Sequence, residues 1–311
     1  MGTPAFAAVI LESLIQEGSH EICAVVTMPD KPMGRGLKMT ASEVKKVADK
    51  YNIPLLQPEK LKDEFFLQQL SSYKADLFLV IAFRMLPEVV WKMPAKGTVN
   101  LHASLLPRYR GAAPINWVIM NGEKETGVTT FFINERIDEG QMILSKPIPV
   151  SPTENAGELH DALLGIAVPA VLETLRQIEQ GTCVLKPQTF DEALPDAPKI
   201  FKKDCQIHWE NSAERIYDQI RGLAPSPGAF TYVKMPDGEN LLLKIFESEV
   251  ITGSHSLSPG TIFTDNKRQL LIAASDACLQ INTLQLFGKK RMSVRDFLSG
   301  NKMLNGLQCL L

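Results

Sequence analysis

DLFLVIAF, residues Asp76 to Phe83, is almost wholly apolar. This composition is typical of a strand in a parallel sheet, because helices cover both of its faces. Outward from it, the same criterion predicts strands at Ile22–Thr27, Gly97–His102, Gly127–Ile133 and Met142–Val150. Helices are predicted between them at Ala41–Tyr51, Asp63–Ser71 and Thr153–Gln180. Alternating strands and helices predict an α/β domain with a doubly wound parallel sheet over residues 1–185.

The composition changes after Val184. Lys186–Cys205 is rich in proline and charge, and it is predicted to be a linker. An amphipathic helix is predicted at Ser212–Leu223, followed by short strands separated by turn signals such as Ser226-Pro227-Gly228. This spacing predicts a small β-barrel over residues 206–311.

Several classes of protein are disfavoured by composition. Lys plus Arg total 33 and Asp plus Glu total 35, which excludes a strongly basic nucleic-acid coat but not a local basic patch. The absence of a long apolar run and of a secretory signal predicts a cytoplasmic protein that does not enter membranes. Five scattered cysteines and five separated histidines predict neither a disulfide framework nor a metal site.

Gly2-Thr3-Pro4 has the composition of a strand-to-helix turn. A parallel sheet normally supplies a strand before such a turn. We therefore expect the native gene to encode a short apolar strand upstream of Met1.

The segment GTVNLHASLLPRYRGAAPINW, from Gly97 to Trp117, has the densest set of reactive residues. Asn100 and His102 are two residues apart on a predicted strand, so their side chains share a face. A carboxamide can donate to an oxyanion and an imidazole can move a proton, which suits transfer at a carbonyl carbon. Asp138, in a loop that ends at Gly140, is the predicted group that orients the imidazole. The alternative is that His102 is an ordinary core residue.

Ser/His/Asp hydrolysis with Ser104 as nucleophile is a weaker alternative. The G-x-S-x-G elbow is absent around Ser104.

The segment PDKPMGRGLK, Pro29 to Lys38, combines glycine and proline with three cations, Lys31, Arg35 and Lys38. It is either a solvated surface loop or a flexible loop that contacts phosphates. Lys202-Lys203 and Lys289-Lys290-Arg291 are two further basic clusters.

The Gly97–Trp117 segment closely resembles the central motif of the folate-dependent formyltransferases. Four further segments resemble those of the family members that act on methionyl initiator tRNA. They are PDKPMGRGLK, Met1–Ala7, Asp138-Glu139-Gly140 and Gly288–Met292. The resemblance implies a Rossmann-like catalytic domain, a linker and a C-terminal barrel like the oligonucleotide-binding (OB) fold. It also implies 10-formyltetrahydrofolate as formyl donor and no metal, and we expect a monomer.

The resemblance also implies roles for individual residues. Asn100, His102 and Asp138 fall on catalytic positions, and the tetrahydrofolate-contacting turn corresponds to Ser104, Leu105, Leu106 and Pro107. The implied tRNA contacts are Lys31, Arg35, Lys38, Lys289, Lys290 and Arg291. Three alternatives stay open: a related enzyme acting on a sugar nucleotide or on glycinamide ribonucleotide, a tRNA-binding module without catalysis, and either His102 or Asp138 as proton acceptor.

Overall fold

The structure is a computed structural model, which describes residues 1–33, 38–189, 191–236, 238–253, 255–300 and 306–310. Contacts within the chain divide it into two compact units. The first comprises residues 1–111, 127–148 and 162–196, and the second comprises residues 112–126, 149–161 and 197–311. No helix in the described ranges is long and apolar enough to cross a membrane.

The first unit combines parallel and antiparallel strands with helices. Its strands are β1 (Val25–Val26), β2 (Lys31–Met33), β3 (Lys38–Thr40), β4 (Leu55–Leu56), β5 (Phe78–Ile81), β6 (Thr98–His102), β7 (Glu125–Phe132) and β8 (Met142–Pro149). The helices that accompany them are α1 (Ala5–Glu17), α2 (Glu43–Lys50), α3 (Glu64–Ser72), α4 (Glu88–Trp91) and α6 (Ala156–Gln180), the last of which begins in the second unit.

The pairing of these strands confirms the predicted α/β class. β1 pairs with β4 and β5 pairs with β6, both in parallel. β6 pairs with β7 in the antiparallel direction, and β8 follows β7 in the order β5-β6-β7-β8. Strand direction depends on the path of the chain between strands, which an apolar pattern does not encode. β1 is shorter than the predicted Ile22–Thr27, because its partner β4 comprises only Leu55 and Leu56.

Met1 and Gly2 lie between β1 and β5. The Gly2 amide donates to the Val26 carbonyl at 3.1 Å, and the Ile81 amide donates to the Met1 carbonyl at 2.9 Å. A cavity of about 140 Å³ extends beside them and is lined by residues such as Leu14, Val26 and Phe78. The additional upstream strand stays a prediction.

Local side-chain caps explain where several helices begin. Ser42 Oγ accepts a hydrogen bond from the Lys45 amide, and Asp63 accepts one from the Phe66 amide. Asn155 Oδ1 accepts from the Gly157 amide at 2.9 Å, so α6 begins at Ala156 rather than at the predicted Thr153.

The second unit is a nearly closed barrel, as predicted. Its strands are β9 (Ala229–Lys234), β10 (Asn240–Ile251), β11 (Ile262–Thr264), β12 (Leu270–Ala273), β13 (Cys278–Leu286), β14 (Met292–Ser293) and β15 (Gln308–Cys309). They follow the order β11-β12-β13-β10-β9-β15, with β14 paired to β13. An antiparallel bridge between Thr261 and Gln308 joins the two ends of this order. Full pairing of edge strands protects their backbone groups.

The second unit includes the helices α5 (Pro114–Met120), α7 (Ala213–Leu223) and α8 (Val294–Gly300). α7 agrees closely with the predicted Ser212–Leu223, since Ser212 caps it by accepting from the Arg215 amide. The barrel core packs around residues that are 0% exposed, including Trp209, Ile216 and Phe297.

Candidate active site

Asn100 and His102 lie on β6, the strand predicted to hold them. Asn100 is opposite Val80 of β5 and Phe131 of β7, and His102 is opposite Thr129 of β7. The alternation of side chains along a strand places Asn100 and His102 on one face. Asn100 is half-buried, and its carboxamide makes no side-chain hydrogen bond to the described part of the chain. Its N–H groups are therefore available to a bound carbonyl oxygen.

The His102 ring is held by a backbone carbonyl. Its Nε2 lies 2.7 Å from the Tyr109 carbonyl oxygen, and the residue is only 7% exposed. A carbonyl accepts and cannot donate, so Nε2 carries the proton and Nδ1 is unprotonated in the neutral ring. Nδ1 faces Asp138 Oδ2 at 3.8 Å, which is longer than a hydrogen bond. The carbonyl of Tyr109 orients the ring, while the Asp138 carboxylate faces its free nitrogen.

The Asp138 carboxylate is fixed in a tight loop. Its Oδ2 accepts a hydrogen bond of 3.0 Å from the Gly111 amide. At Gly140 a Cβ atom would lie 1.6 Å from the Phe132 carbonyl oxygen, so only glycine permits this close approach. Gly140 thus lets the loop pack against the backbone of β7, and its role in turning the loop stays a prediction.

Strained backbone is concentrated near this site. Ala82, Tyr109 and Asp138 have φ values of 46°, 60° and 54°. Non-glycine residues rarely adopt this region, and where they do the surrounding structure must hold them there. Tyr109 and Asp138 both face His102, and Ala82 follows β5 directly beside the end of β6. Strain at such positions is typical of a preorganised functional site.

The Ser104–Pro107 turn follows β6 and is anchored by buried Thr129. Thr129 Oγ1 accepts from the Leu106 amide at 3.1 Å and donates to the Ser104 carbonyl at 2.7 Å. Ser104 is 0% exposed, and its Oγ donates to the Arg108 carbonyl at 2.7 Å. A serine nucleophile must instead donate to its base. The geometry therefore disfavours the hydrolase alternative.

The predicted tRNA-contacting residues occur in both units. Lys31 is exposed on β2, which pairs with β3 in an antiparallel hairpin. Arg35 lies outside the described residues, and so does the Lys38 side chain. In the second unit Lys289 and Lys290 are exposed, whereas the Arg291 guanidinium lies 3.5 Å from the centre of the Phe246 ring. Arg291 also donates to the Pro225 carbonyl at 2.8 Å.

Four residues near the site were not singled out from sequence: Ala82, Tyr109, Thr129 and Gln188. Tyr109 contacts His102 through its backbone carbonyl, and Ala82 is notable only for its φ angle. Neither feature can be recognised from the residue type in the sequence. Thr129 lies on a predicted strand, but the sequence does not show that its hydroxyl is buried beside the Ser104–Pro107 turn. Among the described residues, no group of three or more His, Cys, Asp or Glu side chains could hold a metal ion.

Comparison with known proteins identifies the family of both parts of the chain. Residues 1–175 match the family described as Formyl transferase, and residues 199–302 match the one described as Formyl transferase, C-terminal domain. The fold and the site thus define an enzyme of the formyltransferase class.

Individual relatives show which family within this class the chain resembles. A methionyl-tRNA formyltransferase of Bacteroides thetaiotaomicron is 49% identical over 311 residues, covering 98% of this chain and 96% of that protein. One of Flavobacterium johnsoniae is 47% identical over 300 residues, covering 96% and 94%. This chain belongs to the methionyl-tRNA formyltransferase family. Among solved structures, an N-formyltransferase from Helicobacter canadensis in complex with folinic acid and dTDP-3-aminofucose shares the fold, with a TM-score of 0.64, 18% identity and coverage of 94% and 97%.

Proposed function

We propose that this protein transfers the formyl group of 10-formyltetrahydrofolate to the α-amino group of methionyl initiator tRNA, giving formylmethionyl-tRNA for translation initiation. It acts as a cytoplasmic monomer with a catalytic domain at residues 1–185 and a tRNA-binding domain at residues 206–311, joined by the linker 186–205. The observation that carries the proposal is a set of three groups in a chain of this family. They are the Asn100 carboxamide, which has no side-chain hydrogen bond to the described residues, the His102 imidazole with its tautomer fixed, and the Asp138 carboxylate.

The reaction needs three events at the formyl carbon. The methionyl nitrogen forms a bond to that carbon, the carbonyl oxygen becomes an oxyanion, and the bond from the carbon to N10 of the folate breaks. Asn100 donates N–H groups to the oxyanion, a contact that strengthens as negative charge develops. Because its carboxamide has no competing side-chain partner in the described chain, no hydrogen bond has to break first.

The attacking nitrogen loses a proton and the folate N10 gains one. An α-amino group has a pKa of about 7.7–8.0, so part of it is already neutral near pH 7. His102 Nδ1 is the ring atom available to accept the proton, since Nε2 donates to the Tyr109 carbonyl at 2.7 Å. The Asp138 carboxylate, 3.8 Å from Nδ1, stabilises the imidazolium that forms and orients the amine.

The formyl donor is assigned to the edge where β5 and β6 end. These strands are parallel, so the segment after Ala82 and the Ser104–Pro107 turn leave the sheet on the same side. In open α/β sheets ligands bind at this edge, outside the carboxyl ends of the strands. The turn is held by Thr129, which gives the folate a rigid wall.

The acceptor tRNA is assigned to the basic hairpin and the basic cluster of the barrel. Lys31, Arg35 and Lys38 contact phosphates near the acceptor end, and Lys289 with Lys290 contacts the backbone further away. The base of the hairpin is fixed by Asp30, which binds Lys45 Nζ at 2.7 Å and Gln57 Nε2 at 2.8 Å.

The test is direct. Purified protein is incubated with 10-formyltetrahydrofolate and methionyl initiator tRNA, and the esterified amino acid is released and analysed for formylmethionine. Matched reactions replace the acceptor by glycinamide ribonucleotide or by an amino sugar nucleotide. Formylation of methionyl-tRNA alone supports the proposal, and formylation of only a small-molecule acceptor, or of none, refutes it.

A further inference from the structure

Gln188 uses its whole side-chain amide in hydrogen bonds. Its Nε2 donates to the carbonyl oxygens of Asp138 at 2.8 Å and Gly140 at 2.9 Å. Its Oε1 accepts from Arg110 Nε at 3.1 Å and Nη2 at 2.8 Å. Two donors and two accepted bonds saturate a carboxamide. Such a side chain acts as a rigid link between the segments that it joins.

One of these segments is the loop that carries the Asp138 carboxylate. Gln188 grips it at the carbonyls on either side of Glu139, and Asp138 itself has a φ of 54°. Backbone in this region persists only where neighbouring groups hold it. The two hydrogen bonds from Gln188 are suited to that purpose, because they fix the carbonyls that flank the strained turn.

The other segment follows the Ser104–Pro107 turn. Arg110 is mostly buried, and besides its bonds to Gln188 its Nη1 lies 3.7 Å from Glu139 Oε1. The next residue, Gly111, donates its amide to Asp138 Oδ2 at 3.0 Å. Gln188 therefore closes a ring of contacts that ties Arg110-Gly111 to Asp138–Gly140 and sets the direction of the carboxylate.

Gln188 itself is held by the sheet. Lys186 and Met142, at the start of β8, exchange two backbone hydrogen bonds of 2.8 and 2.9 Å. Gln188 follows this bridge by two residues, so its backbone has a fixed origin in the first unit. Within the segment predicted to be a linker, Lys186 is thus paired with the start of β8.

We propose that Gln188 is a positioning residue for formyl transfer, acting through the Asp138 loop to hold the carboxylate opposite His102 Nδ1. The inference rests on the proposed function and adds a residue that acts without touching either substrate. A displacement of about 1 Å at a reacting group can cost up to about a hundredfold in rate. Loss of the hydrogen bonds from Gln188 to the Asp138 loop therefore lowers kcat and leaves substrate binding nearly intact.

Two variants separate this role from general packing. Gln188→Glu keeps the length and the acceptor oxygens for Arg110 but removes both N–H donors to the loop. Gln188→Met keeps the volume and removes every hydrogen bond. The control is Gln177→Met on α6, whose amide donates to Glu173 Oε1 one turn away. Thermal unfolding of each variant gives the folded fraction by which rates are normalised.

Both Gln188 variants should lower kcat at least about tenfold, with KM for folate and for methionyl-tRNA within about threefold of the parent. Hydrogen exchange provides a second readout, in which the Gly111 amide loses protection in Gln188→Met. Parental kcat in Gln188→Glu, a loss confined to KM, or unchanged Gly111 protection would each overturn the inference. If the parent protein itself fails to formylate methionyl-tRNA, the proposed function fails as well; an active parent with unaffected variants refutes only the role of Gln188.

Discussion

Two adjacent threonines of β7 provide a matched test of how the folate-side turn is held. Thr129 and Thr130 are both 0% exposed and point to opposite faces of the sheet. Thr129 Oγ1 accepts a hydrogen bond from the Leu106 amide and donates one to the Ser104 carbonyl. Thr130 Oγ1 lies 2.7 Å from Thr174 Oγ1, which already donates to the Ala170 carbonyl at 2.8 Å.

The same change, threonine to valine, should therefore have different consequences. Thr129→Val leaves two buried backbone groups without this partner, each costing about 1–3 kcal/mol, so about 2–6 kcal/mol in total. Thr130→Val removes one hydrogen bond while Thr174 keeps its bond to the helix backbone, for a cost of about 0.5–1.5 kcal/mol. Against a total stability of about 5–15 kcal/mol, this difference is easily measured.

The free energy of unfolding is obtained from urea titration of the parent and both variants, with the slope m checked for constancy. In the folded protein, Thr129→Val should also raise KM for 10-formyltetrahydrofolate, because the Ser104–Pro107 turn is then less constrained, and Thr130→Val should not. If Thr129→Val is no more destabilising than Thr130→Val, the hydroxyl does not anchor the turn and the reasoning is refuted.

Three further predictions concern the site, the hairpin and the barrel. Asn100→Ala or His102→Ala should each lower the turnover of the folded protein at least about a hundredfold, and near-parental turnover would remove that residue from the mechanism. Arg35→Ala should impair the reaction with methionyl-tRNA far more than the binding of folate, and it should weaken the dependence of tRNA binding on salt concentration. Parental kinetics with methionyl-tRNA would show that the loop is ordinary surface. Asp265 Oδ1 accepts three backbone amides, from Lys267, Arg268 and Gln269, which lower the pKa of its carboxyl to about 2. Its stabilising effect is thus complete above the unfolded pKa of about 3.9 and is lost as pH falls toward 2. The unfolding temperature of Asp265→Asn should lie below that of the parent at pH 7 and approach it near pH 2, whereas a gap independent of pH would contradict this account.

Much of the local structure was determined by the sequence itself. The apolar run Asp76–Phe83 predicted a buried strand, and β5 spans Phe78–Ile81 within it. The amphipathic pattern of Ser212–Leu223 predicted α7, which begins at Ala213 directly after Ser212. Strand alternation likewise placed Asn100 and His102 on one face of β6. Each of these inferences depends on neighbours in the chain, which a single sequence displays.

The chemistry around His102 was decided by tertiary structure. The ring tautomer is set by the Tyr109 carbonyl. The direction of this carbonyl depends on the Tyr109 φ of 60°, which no residue pattern predicts. The distance of 3.8 Å from Nδ1 to Asp138 depends on a loop that returns from β7, with Gln188 holding it from 50 residues away. Gln188 lies in the stretch predicted to be a linker. Proline and charge in that stretch indicate that a periodic pattern is lacking, but they do not indicate which residues form contacts. Contacts between segments far apart in sequence are selected by packing of the whole unit, so their geometry exists only in the folded chain.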